Sequence, residues 1–100
     1  METTQESATQ CMREARDQRQ AIISALYQQR RLNPGQPGIT LTDLEQMLKV
    51  SKAELEFSLW YLKECGYLVR TDSAKHTITI KGVQFSEALK TGAAKWIDGA

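Results

Sequence analysis

Histidine is almost missing from this chain, His76 being the only one. That excludes a metal site needing two imidazoles, and a histidine-activated nucleophile could lie only beside that residue. The two cysteines, Cys11 and Cys65, stand far apart, each in a helical pattern and without the close pairing of zinc sites, so both read as free structural thiols. Charge of one sign is lacking too. Thirteen Lys and Arg stand against twelve Asp and Glu, a formal net charge of +1, so any contact with DNA must rest on local charge. Apolar runs are only a few residues long, and the polar start METTQESATQ has neither a basic leader nor an apolar stretch. Neither a membrane span nor a signal peptide fits, and the expected location is cytoplasmic. No carboxylate pair, glycine-rich phosphate loop, metal spacing or nucleophile with its base can be named, so the expectation is a non-enzyme without metal or cofactor.

What is present suits one small domain. The chain has 100 residues, 41% of them hydrophobic and 25% charged, an average globular composition that argues against disorder as its main state. The expected layout is a flexible segment over 1–6 and a single domain over 7–98. From 7 to 31, Ala8, Cys11, Met12, Ala15, Ile22, Ile23 and Leu26 form one stripe at helical spacing, with no Gly or Pro to interrupt it. Arg19 falls on that stripe, which implies that it is buried in two halves. Both prolines lie in the segment 33–38, where no helix can continue. Thr42 with Glu45, and Ser51 with Glu54, then have the spacing of capping boxes, predicting a short helix over 43–48 and a longer one to about residue 65. Gly66 suits the left-handed stop after it. The β-rich stretches 67–71 and 76–80 flank a turn-like 72–75 and predict a hairpin. Gly82 is expected to end that hairpin, before a last helical stripe of Val83, Ser86, Leu89 and Ala93 with a break near Gly92.

Long helix, short helix, helix, hairpin, helix is the element order of a winged helix-turn-helix domain. The spacing of Leu44, Leu48, Val50, Ser51, Leu55, Leu59, Leu62, Gly66 and Leu68 resembles the tri-helical core of that superfamily. The segment Ile78-Thr79-Ile80-Lys81-Gly82 looks like the exit from the wing in regulators of the MarR and PadR kind. The resemblance implies a mainly α fold with a small β-hairpin wing, and a transcriptional regulator that binds double-stranded DNA. Carried over by position, it puts Ser51, Lys52, Ala53, Glu54, Glu56 and Phe57 at the groove, and Arg70, Lys75, His76 and Lys81 of the wing on phosphate.

Local charge complicates that reading. Across 42–66 three lysines oppose five carboxylates, a net −2, whereas Arg70, Lys75 and Lys81 outweigh Asp72 in the hairpin to give +2. With Leu55, Leu59 and Leu62 turned to the core, Phe57, Trp60 and Tyr61 point elsewhere. Either the wing, the first helix or the last helix covers them, or they form an exposed patch that anchors a protein partner. The alternative to a DNA binder is therefore a winged-helix interaction module. A homodimer through the first and last helices is also expected, with Trp96 and Ile97 in its interface.

Overall fold

The structure is a computed structural model that describes residues 4–96, with side chains described from residue 14 onward. It is mainly helical with one small antiparallel sheet, in the order α1 (Thr4–Leu32), β1 (Ile39–Thr40), α2 (Leu41–Leu48), α3 (Lys52–Glu64), β2 (Leu68–Arg70), β3 (Lys75–Ile78) and α4 (Ile80–Thr91). Helix α1 starts at Thr4 rather than near residue 7, and residues 1–3 lie outside the described part.

Apolar burial unites these elements. Ile22, Ile23 and Leu26 of α1, Leu44 of α2, and Leu55, Leu59 and Leu62 of α3 are buried together with Leu68 and Ile78 of the sheet. Burial of such side chains is worth about 1.5–3 kcal/mol each, so α1 and α3 form the centre of the molecule. Among the described residues of α1, the buried ones all fall between Arg19 and Tyr27. The side chains of Ala8, Cys11 and Met12 lie outside the described part.

Arg19 resolves the interruption in the α1 stripe. It is buried, with its guanidinium carbon 4.1 Å from the centre of the Tyr61 ring and 5.3 Å from that of Trp96. The cation is thus accommodated between aromatic rings rather than between aliphatic halves of a core. The cluster continues through Phe85, which meets Trp96 edge-on at 4.9 Å and stacks on Tyr67 at 4.4 Å.

Three local expectations need correction. Helix α2 is capped by Thr40, whose hydroxyl accepts from Asp43 N at 3.1 Å, and not by Thr42, so the helix begins at Leu41. Thr40 lies in extended backbone directly before the helix, as a cap must. The hairpin is also part of a larger sheet. Strand β1, only two residues long, pairs with β3, giving the order β1-β3-β2. Gly82, finally, does not end a strand but lies inside α4, which starts at Ile80 after the Thr79 cap.

Gly82 has a specific reason to be there. A Cβ on it would run into the backbone carbonyl of Tyr67 and the Ile78 side chain. At an ordinary helical site Gly→Ala gains about 1 kcal/mol. Here the collision reverses the sign, and Gly82→Ala is expected to cost about 2 kcal/mol. Gly35→Ala, at a position where an added Cβ meets no atom within 4 Å, is expected to stay within about 0.5 kcal/mol of the parent. Urea melts of the three proteins check both values.

Candidate functional site

Helix α3 carries most of the residues singled out from sequence, and its start is defined chemically. Ser51 is in extended backbone and its hydroxyl accepts from Glu54 N at 3.3 Å. The Glu54 carboxylate accepts from Gln18 Nε2 of α1 at 2.8 Å, so this acid is engaged with α1. Beyond the cap, Lys52, Glu56, Leu59 and Lys63 recur at i, i+4, i+7 and i+11 and form one lengthwise stripe.

That stripe faces the hairpin across an open cleft of about 440 Å³. Lys52, Glu56 and Lys63 line it from α3, Arg70 from β2 and His76 from β3. Leu41, Leu59 and Ala74 supply its apolar wall. Three cations against one carboxylate leave the lining with a net charge of +2. The structure therefore brings Lys52 of the expected groove positions together with Arg70 and His76 of the expected phosphate contacts, with Ser51 at the adjacent helix start.

It separates the other two. Lys75 neighbours His76 on the same strand and so points to the opposite face of the sheet. There it lines a shallow hollow with Gly35, Gln36, Pro37 and Gly38 of the 33–38 segment. Lys81 lies at the foot of the hairpin, its Nζ 5.8 Å from the centre of the Tyr67 ring. The expected alliance of all wing cations is thus divided among three places.

His76 requires a correction of role. It was expected as a surface phosphate contact, but it is only 5% exposed and its Nδ1 has no hydrogen-bond partner. Alternation along β3 turns it to the same side as the core residue Ile78, which explains the burial. Burial first, and then the nearby positive charges of Lys63 and Arg70, hold its pKa below the ordinary histidine value. A buried polar atom left unpaired costs about 1–3 kcal/mol.

The aromatic expectation divides as well. Phe57 and Trp60 are 53% and 54% exposed, with ring centres 5.8 Å apart. Tyr61 and Trp96 are half-buried in the Arg19 cluster, and Trp96 Nε1 donates to Gln20 Oε1 at 3.0 Å. Tyr61 is therefore no exposed anchor, and Trp96 packs on its own chain. Ile97 lies outside the described residues.

Sequence reasoning missed Lys63 as a site residue. The signal was present in its spacing from Lys52 and Glu56, but became meaningful only once the hairpin was seen to return along that face. Among the described residues no cluster of His, Cys, Asp or Glu could hold a metal ion, and Cys65 is a free, half-buried thiol. No helix of the described part is long and apolar enough to cross a membrane.

The depressed pKa of His76 links its burial to pH. Because the unfolded chain binds a proton near the ordinary value of about 6.5 and the folded chain only at lower pH, His76 favours folding fully above that value. Stability is expected to fall as pH drops from about 6.5 toward the folded pKa, with no further loss from this group below it. Lys63 and Arg70 contribute positive charge near the ring. Urea melts across this range are expected to show the slope in the parent and a flatter profile in His76→Leu.

Comparison with protein-family models, curated proteins and solved structures finds no match.

Proposed function

We propose that this protein is a small winged helix-turn-helix DNA-binding protein, a transcriptional regulator that sets the front of α3 in the major groove and the hairpin beside it as the wing. The observation that carries the reading is the convergence of Lys52 and Lys63 of α3 with Arg70 of the hairpin on one cleft. Cations on both sides of such a cleft suit a strand of phosphates passing between them. The carboxylates that weigh against DNA are partly accounted for. Glu54 is held by Gln18, and Glu56 lies among the lysines of its own stripe. Ser51, Lys52 and Ala53 remain exposed at the helix start, where base edges and phosphates would be met.

If the cleft tracks phosphate, Lys52→Ala and Arg70→Ala should each weaken binding to all duplexes alike. Each should also reduce the salt dependence of binding by about 0.9 per lost contact. Fluorescence anisotropy with a labelled duplex at several salt concentrations measures this. An unchanged salt dependence in both variants contradicts the assignment.

A second reading is favoured by Phe57 and Trp60. Two adjacent rings, each more than half exposed, give α3 an apolar face that phosphate does not require. On this reading α3 is an anchor for a protein partner, including a second copy of the chain. Trp60→Ser is expected to change stability by no more than about 0.5 kcal/mol while weakening self-association at least about tenfold. Sedimentation of parent and variant at micromolar concentration checks this, and a monomeric parent contradicts the dimer.

A further inference from the structure

We propose that the cleft between α3 and the hairpin is a binding site for a small organic phosphate, distinct from any duplex. The phosphoryl group would lie among Lys52, Lys63 and Arg70 with the His76 ring beneath it, and the organic part against Leu41, Leu59 and Ala74. The net +2 lining is equal in size and opposite in sign to the charge of a phosphate dianion. The volume of about 440 Å³ exceeds what a bare phosphate fills and falls in the range of small-molecule sites. His76 lines the same cleft, only 5% exposed and with its Nδ1 enclosed and unpartnered, so its ring reports on what enters the cleft. A phosphoryl oxygen is a strong acceptor for the lysine and arginine donors around it.

Glu56 lines the same cleft and opposes an anion, but the net charge of +2 still attracts a phosphate dianion more strongly than a monoanionic carboxylate. The three apolar residues lie on different elements: Leu41 on α2, Leu59 on α3 and Ala74 at the hairpin turn. An organic group seated there would contact helices and hairpin at once. The site goes beyond the DNA reading and does not require it. Where both hold, occupation of Lys52 and Arg70 by the small phosphate would compete with duplex binding.

The test follows the His76 ring nitrogens by nuclear magnetic resonance in the full chain, during titration with inorganic phosphate and with phenyl phosphate. Sodium chloride at matched ionic strength serves as the control. The expected result is a saturable shift with both phosphates, with phenyl phosphate at least about fivefold tighter through its contact with the apolar wall. Lys63→Gln should weaken binding at least about fivefold, whereas Lys90→Gln, whose lysine lies over the Tyr27 ring outside the cleft, should leave it unchanged. Amide spectra establish that both variants remain folded. Absence of a saturable shift, an equal shift with chloride, or indifference to Lys63→Gln overturns the proposal. A shift produced by duplex DNA but not by phenyl phosphate also overturns it, assigning the cleft to backbone phosphate alone. Failure to bind any duplex, with the phenyl phosphate shift intact, removes the DNA reading and leaves this one standing.

Discussion

The Thr79 hydroxyl ties together the three parts of the fold that define the cleft. It donates to Gly66 O at 2.6 Å and accepts from Gly82 N at 3.0 Å, while Thr79 N donates to Tyr67 O at 2.9 Å. One residue thus joins the turn after α3, the end of β3 and the first turn of α4. Gly66 supplies the positive φ needed to leave α3, and Gly82 allows α4 to settle on the Tyr67 carbonyl. With both ends fixed, the hairpin has one course, back along α3. That course sets Arg70 and His76 opposite Lys52 and Lys63.

A second constraint acts on the other side of α3. Arg19 carries a full charge into the interior, where desolvation is costly unless the charge is compensated. The Tyr61 and Trp96 rings provide part of that compensation, and Trp96 is itself held by Gln20. The last described residue of the chain is in this way brought back onto α1. Tyr61 and Trp96 are therefore committed to the fold, leaving Phe57 and Trp60 as the exposed aromatic pair of α3. The charged cleft and the aromatic pair occupy different stripes of the same helix.

Much of this was legible in sequence where one local interaction dominates. The 3.6-residue period identified α1 and α3, Ser51 marked the start of α3, and Gly66 and Gly92 marked helix ends. Features that depend on partners distant in sequence were not legible. Thr40 and Thr42 are equally good caps by type, and only the pairing of Ile39 and Thr40 with β3 decides between them. Gly82 reads as a stop until the Tyr67 carbonyl is seen against it. Arg19 was recognisable as an anomaly on an apolar stripe, but the rings that receive it come from α3 and the end of the chain. His76 was misjudged as a surface group because alternation in a short strand assigns a face only when its partner strands are known.

The Thr79 junction holds His76 near Lys63 and Arg70. Direct titration of the His76 ring by nuclear magnetic resonance, in the parent and in Thr79→Val, tests it most closely. Valine keeps the branched shape and removes the hydroxyl that joins Gly66 to Gly82. The expected result is a His76 pKa below the ordinary value of about 6.5 in the parent, moving toward that value in Thr79→Val as the hairpin loosens from α3. A His76 that titrates at or above the ordinary value in the parent would contradict it.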